Sequence, residues 1–200
     1  MSYYLTDMLR LVRNELQDTG EASYADAEVE AAIGQTLWEI SDAKPYEVLE
    51  TVTLTDESPF VDVSTITDLI DVVAAYYPVT STYEYWKEKR YVTHFGNTIQ
   101  IIMDARPSGD SESAYLECEK RHTLTELTST LTPDLERILV IGASARVARS
   151  HARPSINRQN VGGGRVPTNL MAWAQLQEGK FKLQLASITK QRTTQLYSRD

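Results

Sequence analysis

Two hundred residues, 42% of them hydrophobic, with a formal charge of −8, are enough for one domain with appendages or for two small domains. The single cysteine, Cys118, excludes an intramolecular disulfide and any multi-cysteine metal site. The charge is split: residues 1–136 carry 26 acidic and 9 basic side chains, a balance of −17, and residues 137–200 carry 2 acidic and 11 basic, a balance of +9. A basic segment joined to so acidic a body points to an outside partner or a neighbouring copy rather than to a small enzyme, and reads as an assembly component.

Leu5, Met8, Leu9, Val12 and Leu16 recur at helical spacing and predict a first amphipathic helix over residues 4–17, ended by Asp18-Thr19-Gly20. Ser23 with Asp26 three positions on resembles a capping box. The second helix then carries Val29, Ile33, Leu37 and Ile40 and stops before Pro45. Two short helices with a brief connection predict an antiparallel pair. Asp7, Arg10, Arg13 and Glu15 interrupt the first stretch, which is unlike a signal peptide. No apolar run nears the roughly 20 residues that span a bilayer. The expectation is a soluble chain made in a reducing cytoplasm, with no membrane partner.

The grammar changes at Pro45. Residues 46–54 and 69–77 are rich in β-branched and aromatic side chains and are separated by the turn formers Asp56, Ser58 and Pro59. Residues 91–95 and 98–102 flank Gly96-Asn97, a two-residue hairpin signal. Residues 106–110 form a further turn and 113–120 a further strand, in which Cys118 reads as a small buried hydrophobe. Residues 46–122 are thus a β-rich insertion of about five strands with an acidic solvent face. Part of the cluster Tyr76, Tyr77, Tyr83, Tyr85, Trp86 and Tyr91 must form its core. Tyr83, Tyr85 and Trp86 sit between strands in a polar setting, as candidate contacts to another subunit or another protein.

Helix returns at Thr132-Pro133, where threonine can cap and proline suits the first turn. Leu135, Ile138, Leu139, Gly142, Ala145 and Ala148 line one face until Pro154, and the low bulk of Gly142, Ala143 and Ala145 admits another backbone. The predicted fold class is α+β: a small antiparallel helical hub (1–45 and 123–152), a β-rich insertion between helices two and three (46–122), and an extended C-terminal arm (153–200). The arm begins with a linker around Gly162-Gly163-Gly164 and ends in a helix bearing Leu170, Trp173, Leu176, Phe181, Leu185 and Ile188 after a Thr168-Asn169 cap. So tethered a helix buries Trp173 and Phe181 only by folding back or by docking elsewhere.

Catalytic signals are weak. His94, His122 and His151 are scattered, with no His-x-x-x-His or Glu-x-x-His spacing for a metal. The three glycines lack the Gly-Lys-Ser/Thr of a phosphate loop, and Ser144 lies on a predicted helix rather than at a nucleophile elbow. Asp56 and Glu57 fall near a turn. The expectation is a protein with no catalytic residues, no cofactor and no metal.

The layout resembles the head-to-tail adaptor proteins of tailed bacteriophages, also called head-completion or connector proteins. The resemblance covers residues 1–152 and is carried by Asp26-Ala27-Glu28-Val29-Glu30-Ala31-Ala32-Ile33 and by the helix from Thr132-Pro133-Asp134-Leu135 through Ala148. It implies a virion protein assembled in rings, commonly of twelve copies, beneath the portal, extending the DNA channel and meeting a tail or neck protein below. It also implies a C-terminal arm that clasps the portal. In that role Arg153, Arg158, Arg165 and Arg192 would meet acidic surfaces of the portal or a neighbour, with Trp173, Leu176, Phe181 and Leu185 as anchors. The insertion and the C-terminal segment are both longer than in the simplest members. Alternatives are a DNA-binding packaging or regulatory factor using the basic arm, another tail-completion subunit, or a helix folded onto its own acidic body. An acidic channel wall would let genomic DNA slide through without sequence-specific binding.

Overall fold

The described residues form four helices and seven strands in the order α1 (Leu5–Glu15), α2 (Asp26–Ala43), β1 (Tyr46–Thr53), β2 (Phe60–Asp62), β3 (Leu69–Tyr76), β4 (Lys89–Arg90), β5 (Val92–Phe95), β6 (Thr98–Ile101), β7 (Ser113–Lys120), α3 (Pro133–Arg158) and α4 (Val166–Tyr197). The structure, a computed structural model, describes residues 3–18, 23–55, 58–77, 89–103, 107, 112–158 and 166–197. The class is α+β, with a β-rich region between helices two and three and a helix at the C-terminal end. Two compact units divide the chain, one formed by Met1–Lys44 with His122–Asp200 and the other by Pro45–Arg121.

In the helical unit the predicted stripes converge on one core. Met8 and Val12 of α1, Val29, Ile33 and Ile40 of α2, and Leu135, Ile138 and Leu139 of α3 are all buried together. α1 ends because Gln17 turns left-handed (φ 58), which lets the amides of Gln17 and Asp18 bond back to Asn14 and Arg13. Arg13, which interrupts the apolar pattern in the sequence, is itself buried. Its guanidinium bonds Asp18 Oδ2 at 2.9 Å and the Tyr24 carbonyl at 3.1 Å, tying the α1–α2 connection shut.

Two expectations need correction here. α3 does not stop before Pro154 but continues to Arg158, and α4 already begins at Val166, so helix replaces much of the expected extended linker. An interior proline loses a ladder bond and costs a helix about 3 kcal/mol, yet α3 runs through Pro154. Nor is α4 detached: it lies against α3 and also touches α2 within the same unit.

The β unit has two antiparallel sheets, ordered β1-β7-β3-β4 and β2-β6-β5. β7 pairs β1 from Tyr46↔Lys120 to Thr53↔Ser113. Its alternation sends Ala114, Leu116 and Cys118 inward to meet Val72, Ala75, Ile99 and Ile101. Burial pushes the Cys118 thiol up to about 11, leaving it inert as a nucleophile. The predicted hairpin joins β5 to β6 at the pair Phe95↔Thr98, and Gly96 takes the positive φ (61) that its turn demands. β2 and β4 are additions to the predicted strands; at three and two residues they are too short to show a period.

His122 locks the helical unit where the chain re-enters it. Its amide donates to Ser41 Oγ at 2.9 Å, and its ring nitrogens lie 2.9 Å from the Lys44 carbonyl and 3.1 Å from Thr130 Oγ1. Burial disfavours the imidazolium and holds its pKa below the ordinary 6.5. Below 6.5 the unfolded chain therefore binds a proton that the folded chain resists. Stability should fall as pH drops from 7.5 through 6.5 toward the folded-state pKa. Urea midpoints at pH 7.5 and 5.5 check this: His122→Gln is expected to flatten the difference, and an unchanged difference would remove His122 as its source.

Candidate functional site

The residues proposed for docking fall in three groups. Arg153 and Arg158 belong to the last turns of α3 and Arg192 to the last turns of α4, with side chains outside the described ones. Arg165, Tyr83, Tyr85 and Trp86 lie outside the described residues. Trp173, Leu176, Phe181 and Leu185 are described, and the structure separates them.

Phe181 is a core residue of its own hub, 2% exposed, and Leu185 packs beside it. As external anchors these two are corrected. The reason is the inner stripe of α4, formed by Leu170, Ala174, Gln177, Phe181, Leu185 and Ile188, which follows the helical repeat and faces α3. Gly142 makes the contact possible. A Cβ there would stand 2.6 Å from Thr36 Cγ2 and 2.8 Å from Phe181 Cδ2, so the ring occupies the place that any side chain would need. Trp173 is half-buried, and Leu176 is 60% exposed on the opposite side of the helix. On the inner stripe the buried residues at these turns are Ala174 and Gln177 rather than the larger Trp173 and Leu176.

Charge follows the same geometry. Arg146 reaches across to α2, with Nε 3.1 Å from Thr36 Oγ1 and a terminal nitrogen 2.7 Å from Glu39 Oε1. Arg149 meets Glu178 of α4 at 2.7 Å, and Lys182 meets the same carboxylate at 3.2 Å. Burial opposes the charged form of Glu178, but the Lys182 hydrogen bond and the Arg149 charge outweigh it and hold its pKa low. Near the end of α3, Glu28 accepts from Ser150 Oγ and lies 3.0 Å from His151 Nε2, whose ring packs edge-on to Tyr24. Arg146, Arg149 and Glu178 line a cleft of about 410 Å³ floored by Gly142 and Phe181. Its cations are paired with carboxylates, so its role is to join three helices; each such exposed pair contributes about 0–1 kcal/mol.

The sequence reading missed the pairs between helices because their partners lie far apart along the chain; the local signs are Arg146 and Arg149 three apart, and Glu178 and Lys182 four apart, on their helices. Their pairing changes the meaning of the charge split. By formal count the helical unit has 14 acidic and 14 basic side chains, whereas the β unit has 14 acidic and 6 basic, which is the full −8. Ser144 is buried and donates to the Ile141 carbonyl of its own helix at 3.1 Å. Among the described residues no cluster of His, Cys, Asp and Glu is placed to hold a metal ion, and no helix is long and apolar enough to cross a membrane. Comparison with protein-family models and with curated proteins finds no match to this chain.

Proposed function

We propose that the chain is a ring-forming structural subunit of the head-to-tail junction of a tailed bacteriophage virion, seated below the portal and without catalytic activity. One observation carries the reading: a helical unit built from both ends of the chain, with a β unit of separate core inserted between its second and third helices. Such an insertion can shape one contact surface while the hub keeps another, as a subunit needs when it meets copies of itself, a portal and a tail protein. The concentration of net charge in the β unit supports the reading, because a carboxylate-rich wall gives passing DNA phosphates no counter-ions to hold. A ring of twelve belongs to the same proposal.

The DNA-binding alternative, which would use the arm from residue 153 on, has less behind it, since the unit that holds the arm balances 14 acidic against 14 basic side chains and offers phosphates little net attraction. The test is to mix the purified chain with the portal protein encoded in the same genome and image the product by electron microscopy. The expected result is a closed ring of the chain on one end of the portal. A portal that stays bare at saturating chain concentration counts against the proposal.

A further inference from the structure

α4 is apolar on two sides. Opposite its core-facing stripe, Ala172, Leu176, Gly179, Leu183 and Ala186 repeat at alternating spacings of four and three, with Leu176 60% and Leu183 74% exposed. Gly179 costs a mid-helix position about 1 kcal/mol relative to alanine. Yet among the described residues no atom beyond its own helix turn lies within 4 Å of where its Cβ would be, so no described neighbour requires the glycine. Beside this outer stripe Lys180 and Lys182 are exposed, Lys182 in an ion pair with Glu178, which leaves this side of the helix with one net positive charge.

A complementary surface lies on the β unit. Register and alternation put Phe60, Asp62, Thr98, Gln100, Thr93 and Phe95 on the outward face of sheet β2-β6-β5. Phe60 and Phe95 meet edge-to-face at 6.3 Å while both stay about half exposed. Tyr91 (81% exposed) and Ile102 (54%) extend the same face, joined by the Ile102 amide on the Tyr91 carbonyl at 2.9 Å. This apolar face sits on the unit that carries the whole net negative charge.

We propose that the outer stripe of α4 in one copy docks on the outward face of sheet β2-β6-β5 in the next copy. Charge selects this occupant: two α4 stripes would oppose lysine to lysine, and two β units would oppose −8 to −8, whereas stripe on sheet joins unlike charges. Because the two surfaces differ, the contact is head-to-tail and repeats into a ring or a filament. The inference rests on the ring reading above and supplies its subunit interface.

Two variants test it in the full-length chain by sedimentation velocity at about 100 µM, well above the dissociation constant of a weak ~10 µM contact. Leu176→Glu/Leu183→Glu alters only the stripe, and Tyr91→Arg/Ile102→Arg only the sheet face. Wild type is expected to self-associate, less so at high salt. Each variant alone should be monomeric, and their equimolar mixture should form a one-to-one dimer through the single intact pair of surfaces. If a double variant loses its cooperative melting transition, the single changes Leu183→Glu and Tyr91→Arg, at the most exposed positions, make the same test. A monomeric wild type, a sheet variant that assembles like wild type, or a mixture without dimer overturns the proposal. Portal imaging judges the adaptor reading separately, so the two failures are told apart.

Discussion

Phe181→Ala is expected to lower the stability of the helical unit by about 3–5 kcal/mol, the range for removing a buried aromatic side chain and leaving its cavity behind. The ring is 2% exposed, touches the groove over Gly142 and closes α4 onto the core of α1, α2 and α3. An anchor held ready for another protein would behave oppositely, since its loss would weaken docking and leave the melting transition of the free chain unmoved. Gly142→Ala should also destabilise: overpacking costs about 1–3 kcal/mol, against about 1 kcal/mol gained in helix propensity. Because both substitutions act on one contact, their effects should not add, and the double variant should lose less than the sum. Chemical denaturation of the four proteins measures all of this.

Arg13→Met is expected to cost about 3–5 kcal/mol, the range for removing one partner of a buried ion pair. The side chains of Arg13 and Asp18 are only 6% and 5% exposed. Without the guanidinium, Asp18 keeps the amides of Ser23 and Tyr24, at 3.1 and 3.3 Å, but loses its counter-charge, and the Tyr24 carbonyl loses a donor. Asp26, whose side chain is 64% exposed, contributes little, and Asp26→Ala should shift stability by less than about 1 kcal/mol. The contrast between these two variants, read as shifts in urea midpoint at constant slope, separates a buried charge network from surface pairing. Equal effects would refute the burial argument.

Much of this architecture was legible where one period dominates. The stripes of α1, α2 and α3 point one way each, and Gly96-Asn97 and Pro133 are local signals that need no tertiary context. α4 defeated the same reading because it is apolar on two opposite sides. Leu176 looks like a better core residue than Gln177, yet Gln177 is buried, with Nε2 3.4 Å from Glu15 Oε1 of α1, and Leu176 faces outward. Choosing the larger hydrophobe at each turn rotates the predicted face away from the true one. The glycines and Pro154 reinforced the error by suggesting a long break between α3 and α4. The low bulk of Gly142, Ala143 and Ala145 signals space for another backbone, and Phe181 of α4 in the same chain takes that space over Gly142. Likewise, the basic C-terminal third suggests an outside partner, yet acidic residues on α2 and α4 balance its Arg146 and Arg149. Of the residues first proposed for docking, Leu176 remains on an open surface, which it shares with Leu183, a residue the sequence pattern did not single out.

Hydrogen–deuterium exchange on the isolated chain reads out the seating of the last long helix most directly. Amides along its inner contact, residues 174–188, should be protected as strongly as those of α2 and α3 and should open only when the unit unfolds. Exchange of that stretch within seconds, beside a well-protected α2–α3 pair, would contradict the account and return the segment to the status of a free arm.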